Sequence, residues 1–139
     1  TEHIGSFNGT YFYDDYGHHP TEIKATTKAL KENTSGKLIV IFQPHRYTRT
    51  RDNYEALKNS FEHSDITLIT DIYSAGEKPI PGVSSILFEG EDIQYIKSPR
   101  LVPHFIKNNI KSGDIVLTIG AGDITLLGPQ ILKYLNENK

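Results

Sequence analysis

A chain of 139 residues with 15 Lys and Arg against 17 Asp and Glu, formal net charge -2, suffices for one domain with its own hydrophobic core. It is too evenly charged for its overall field to hold nucleic acid or an anionic membrane. The absence of cysteine excludes disulfides, thiolate catalysis and Cys-based zinc sites, and no run approaches the ~18 apolar residues of a membrane span.

In chain order, the opening TEHIGSFNGT has neither the basic nor the apolar segment of a signal peptide, so a cytoplasmic protein is expected. Thr10–Asp14 (TYFYD) reads as the first strand. Pro20 then suits the first turn of a helix, in which Ile23, Thr27 and Leu30 recur at helical spacing until NTSG, residues 33–36, stops it. Lys37–Gln43 (KLIVIFQ) is the second strand. A helix opened by Asp52 follows, with Tyr54, Leu57 and Phe61 on one face, and Ile66–Thr70 (ITLIT) is the third strand.

The segment GVSSILFEGED, residues 82–92, is expected to hold a short helix rather than a strand, and Ile93–Lys97 (IQYIK) is the fourth strand. Ser98 is placed as the N-cap of a helix with Pro99 at its first position, Val102, Phe105 and Ile106 inward and Gly113 at its end. Asp114–Gly120 (DIVLTIG) is the last strand. A final helix starts or restarts at Gly128 and Pro129 and turns Ile131 and Leu135 to one side.

Short apolar strands alternating with helices predict an α/β domain: a three-layer, mostly parallel, Rossmann-like sheet flanked by helices. Ligands of such sheets gather at the carboxyl ends of the strands, which directs attention to DDYGHHP, PHRYTRTR and DIYSAGEKPIPG, the loops after the first three strands. In the second, His45, Arg46, Arg49 and Arg51 fall within seven residues. Guanidinium forks take carboxylate or phosphate in bidentate fashion, so this loop reads as an anion clamp.

In the first loop, His18 and His19 are expected to point different ways, which speaks against a chelating pair. A zinc site from His18, His19 and His45 is therefore the weaker reading, and no metal ligand is assigned. A histidine next to Asp15 suits acid or base work, while His19, before Pro20, equally suits a helix cap. Tyr16 offers a ring face for stacking. The turn TIGAGDI carries only half of a dinucleotide fingerprint, and there is no G-x-x-x-x-G-K-[ST] phosphate loop. A nucleic-acid reading of RYTRTR finds no further basic patch to support it.

DDYGHHPTEI, FQPHRYTRTRD, DIYSAGEKPIPG and LTIGAGDI, in this order and at these separations, resemble the C-terminal domain of the UDP-N-acetylmuramate:L-alanine ligases, a branch of the Mur ligase family of peptidoglycan synthesis. The resemblance implies that residues 1–139 are a single Mur ligase C-terminal domain. The N-terminal UDP-binding domain and the central ATPase domain, which carries most of the ATP and Mg contacts, then lie outside this chain.

It further implies that the domain closes on the central one during ATP-dependent amide bond formation, with UDP-N-acetylmuramate, L-alanine and ATP as partners, and that the chain alone is inactive. By resemblance, Arg46 and Arg49 grip the carboxylate of L-alanine, His18 and His45 line the same pocket, and Asp15 and Tyr16 serve the nucleotide side. His19, Arg51 and the Gly120–Gly122 turn stay undecided. Two alternatives stand beside this: a domain of the related muropeptide-recycling ligase, which shares part of HHPT but not the arginine loop, and a free-standing anion-binding module.

Overall fold

The structure is a computed structural model that describes residues 1–139. Six strands form one sheet in the order β1-β2-β6-β3-β4-β5. They span Glu2–Phe7 (β1), Thr10–Asp15 (β2), Leu38–Phe42 (β3), Ile66–Ile69 (β4), Ile93–Tyr95 (β5) and Ile115–Ile119 (β6). All neighbours run parallel except β1, which lies antiparallel on β2. The central strands β3 and β6 are buried at every position, as continuous apolar runs require when both sheet faces are covered.

Alternation along β3 divides the core in two. Ile39 and Ile41 face one layer with Val102, Ile106, Ile131 and Leu135. Leu38, Val40 and Phe42 face the other with Ile23, Leu30, Leu57 and Phe61. The helices are α1 (Pro20–Glu32), α2 (Tyr47–Asp52), α3 (Tyr54–Asn59), α4 (Val102–Asn109) and α5 (Leu127–Glu137). Residues of α1 and α3 cover one face and those of α4 and α5 the other. The expected three-layer α/β architecture is the observed one.

Several local expectations need correction. The opening segment, read only for its lack of a leader, is strand β1, joined to β2 through Asn8 (φ 48) and Gly9 (φ 85). Two consecutive positive φ values make the Asn-Gly turn that matches strand twist. The helix placed after Asp52 is α3, which begins at Tyr54, and a separate short helix, α2, precedes it. Asp52 closes α2, and Asn53 interrupts, its backbone N–H and its Nδ2 each donating to the Arg49 carbonyl at 3.0 Å. Phe61 is buried as expected but lies beyond the end of α3.

Ser98 and Pro99 open a 3-10 turn, Pro99–Leu101, which runs into α4, and the Ser98 side chain makes no capping bond. Helix α4 ends at Asn109, so Gly113 (φ 98) belongs to the turn entering β6. The segment Ser85–Phe88 is a 3-10 helix, in line with the helical reading. Helix α5 begins at Leu127, with Gly128 and Pro129 in its first turn, after a 3-10 turn at Asp123–Leu126.

At the amino edge of the sheet Asp114, 2% exposed, accepts from the backbone N–H groups of Lys37 and Lys111 at 2.8 Å each and pairs with Lys37 Nζ at 2.9 Å. Burial pushes this carboxyl up, but the bonds from Lys37 and Lys111 outweigh it and hold it below the ordinary range. This end of the sheet is pinned, and the opposite end carries the loaded loops.

Candidate functional site

Because β2, β3, β4 and β6 run parallel, Asp15, Phe42, Ile69 and Ile119 end on the same edge. The loops after them form one surface. The hollow of about 480 Å³ between α1 and α3 and the one of about 520 Å³ at the amino edge lie away from the arginine loop.

The arginine loop is braced by the loop after β4. Tyr73 N–H donates to the Pro44 carbonyl at 2.8 Å and Arg46 N–H to the Tyr73 carbonyl at 2.7 Å. The Tyr73 ring stacks on His45, centroids 5.6 Å apart and planes 16° apart. Arg46 itself has φ 72 and ψ 140, a region costly for any side chain but glycine. Its carbonyl accepts from Thr50 N–H at 3.2 Å and Thr50 Oγ1 at 2.7 Å, so the conformation is fixed from both sides.

Arg49 Nη1 donates to His45 Nδ1 at 3.0 Å. A guanidinium has no acceptor, so this bond requires His45 to be neutral with its proton on Nε2. Burial lowers the His45 pKa, and the positive charges of Arg49 and Arg46 lower it further. Neither Arg46 nor Arg49 has an ion-pair partner, whereas Arg51 is neutralised by its neighbour Asp52 at 2.9 Å. His18 joins this cluster, its ring centroid 6.0 Å from that of His45.

In the first loop, Asp15 Oδ1 accepts from Gly17 N–H at 2.7 Å. Burial raises its pKa, but the bonds it accepts from the Thr1 side chain and Gly17 N–H pull it down. Tyr16 is 69% exposed, its ring edge-on to His18 at 6.2 Å. His18 and His19 do not point apart. Their rings lie 4.6 Å from centroid to centroid, because irregular backbone ahead of a helix does not alternate as a strand does.

Glu22 reaches back to the backbone N–H of His19 at 3.1 Å, and His19 is the N-cap of α1. This is the carboxylate half of a capping box. Ligand atoms of His18, His19 and Glu22 come within 4.8 Å of one another. However, the carboxylate is committed to backbone amides at a helix N-terminus, where the dipole disfavours a cation.

The glycine turn after β6 is occupied by protein. Gln43 Oε1 accepts from Ile124 N–H at 3.2 Å and Gln43 Nε2 donates to Asp123 at 2.7 Å. A Cβ on Gly122 would stand 2.6 Å from both Gln43 Oε1 and the Tyr73 ring. The glycine lets the turn pack beneath Tyr73. Gln43, Tyr73 and Glu77 were not singled out from sequence; only the positions of their loops pointed to them.

The family model described as the Mur ligase, glutamate ligase domain matches residues 1–122. The chain belongs to the Mur ligase C-terminal domain family. Curated relatives include a UDP-N-acetylmuramate–L-alanine ligase of Geotalea daltonii, 44% identical over 96% of this chain, and one of Desulforamulus reducens, 40% identical over 96%. The chain spans about a third of their length, 31% and 30%.

Among solved structures, a UDP-N-acetylmuramate-alanine ligase of Thermotoga maritima superposes with a TM-score of 0.72 at 22% identity, over 95% of this chain and 28% of that one. A murein peptide ligase of Psychrobacter arcticus gives 0.75 at 21% identity, over 96% and 29%. At these identities the likeness is one of fold. No helix of the Mur ligase domain is long and apolar enough to cross a membrane.

Proposed function

We propose that this Mur ligase domain is the amino-acid-binding and closing domain of a cytoplasmic UDP-N-acetylmuramate:L-alanine ligase. The observation that carries the reading is the pair of guanidinium groups without ion-pair partners, Arg46 and Arg49, held in a braced loop beside a neutral His45. The relatives at 40–44% identity that bear this ligase's name support it. The structural likeness to the murein peptide ligase does not favour the recycling alternative, since a fold shared at 21% identity carries no acceptor preference.

The carboxylate of L-alanine takes two forked donors, which leaves its amine directed away from the clamp. In the reaction, an oxygen of the lactyl carboxylate attacks the terminal phosphorus of ATP and ADP leaves. The amine lone pair then attacks the acyl carbon, the C–O bond to phosphate breaks, and the amine releases a proton. ATP is a substrate that supplies the activation, and Mg would screen the charge of its phosphates.

On this chain Tyr16 offers an exposed ring for the base, and Asp15 an ionised carboxylate at the nucleotide side. Asp15 is engaged by Gly17 N–H and Thr1, so Mg is assigned to the remainder of the enzyme. The contribution of Arg46 and Arg49 is positioning, which converts a bimolecular attack into one within a complex.

The test is phosphate release by the intact polypeptide with ATP and UDP-N-acetylmuramate, comparing L-alanine with tripeptide as acceptor. L-alanine-dependent release is expected, with none from residues 1–139 alone. Preference for the tripeptide, or turnover by this chain alone, would refute the proposal.

A further inference from the structure

The loop after β4 contains a carboxylate whose position the clamp does not explain. Glu77 Oε1 accepts from Tyr47 N–H at 2.6 Å and Thr48 N–H at 3.1 Å, and Oε2 accepts from Thr48 Oγ1 at 2.5 Å. Three donors thus converge on one carboxylate at the start of α2. Glu77 makes no ion pair with Arg46 or Arg49, although the Arg46 charge lies close enough to help hold its carboxyl down.

Helix α2 has six residues and no capping bond from its own N-cap, Arg46. A helix of that length has little stability of its own, and its free N–H groups need acceptors. Glu77 supplies them from a remote segment. Its placement follows from a tight turn: Ala75 (φ 51) and Gly76 (φ 87) both have positive φ, and Glu77 N–H donates to the Ser74 carbonyl at 3.0 Å, the signature of a type I′ turn. The same loop holds Arg46 N–H through the Tyr73 carbonyl at 2.7 Å. Arg46 and the first turn of α2 are therefore fixed by one element on both sides of the strained peptide.

Resting on the reading of Arg46 and Arg49 as an amino-acid clamp, we propose that Glu77 is a positioning residue: it caps α2 from the loop after β4 and so aims both guanidinium groups at the L-alanine carboxylate. The bonds from Thr48 and from the Tyr47 and Thr48 amides hold its carboxyl below its ordinary value of 4.5, as expected of an anion accepting backbone N–H groups at a helix start. A capping role predicts that the amide isostere largely substitutes, since its oxygen still accepts both N–H groups. A charge-compensating role predicts that it does not.

The experiment compares Glu77→Ala and Glu77→Gln in the intact polypeptide. For Glu77→Ala the KM for L-alanine should rise about tenfold or more while the KM for ATP stays within about twofold, and Glu77→Gln should restore most of the loss. Independently, the Tyr47 and Thr48 amide resonances of the 139-residue chain should titrate with a carboxyl group below 4.5 and lose that titration in Glu77→Gln. If the wild type ignores L-alanine, the ligase reading falls. A wild type that uses L-alanine beside an unchanged KM in Glu77→Ala, or amides that do not titrate, overturns the positioning role.

Discussion

Arg46 combines a side chain suited to an anion with a backbone conformation, φ 72 and ψ 140, that suits glycine. Such a conformation costs about 1–3 kcal/mol and persists where surrounding bonds over-determine it. Here Tyr73, Thr50 and Glu77 do so. Arg46→Gly should therefore raise the stability of the chain by about 1 kcal/mol in denaturant unfolding, while the KM of the intact ligase for L-alanine rises. At His45 the pH dependence follows from the lowered pKa. Between the depressed value and the ordinary 6.5 the unfolded chain binds more protons than the folded one, so stability rises with pH through that window and is lost as pH falls. Protonation also breaks the bond from Arg49. The unfolding midpoint and the affinity for L-alanine should both fall from pH 7.5 to about pH 5, and His45→Gln should flatten both profiles.

At the scale of elements, the strands were legible in the sequence because their signal is local. Leu38–Phe42 and Ile115–Ile119 are unbroken apolar runs, and burial at every position followed from that. Strand β1 is hard to read although Asn8-Gly9 is a strong hairpin signal, since Gly5 and the polar residues around it dilute the alternation. The start of α2 had no local signal at all. Its cap, Glu77, lies 30 residues from Tyr47, and a helix of six residues carries too little periodicity to announce itself. The glycine turn after β6 resembled a ligand loop in sequence, yet it is filled by Gln43. Gln43→Ala should leave the buried Ile124 N–H unpartnered and destabilise the fold by about 1–3 kcal/mol, measured by denaturant unfolding.

For the whole molecule, the Mur ligase sheet divides its labour by edge. The amino edge is pinned by buried Asp114, and the carboxyl edge gathers Asp15, Tyr16, His18, His45, Arg46 and Arg49 from two loops. The motifs singled out loops that the structure brings to one edge of the sheet. Their mutual geometry, including the packed His18–His19 rings and the brace from Tyr73, belongs to tertiary structure. The proposed function assigns Arg49 to the amino-acid acceptor rather than to ATP or the sugar nucleotide. The most direct measurement is the steady-state kinetics of Arg49→Ala in the intact polypeptide against each substrate in turn. A rise in the KM for L-alanine of about tenfold or more, with the KM values for ATP and UDP-N-acetylmuramate within about twofold, is the predicted result; an unchanged KM for L-alanine, or a rise confined to ATP, would contradict the account.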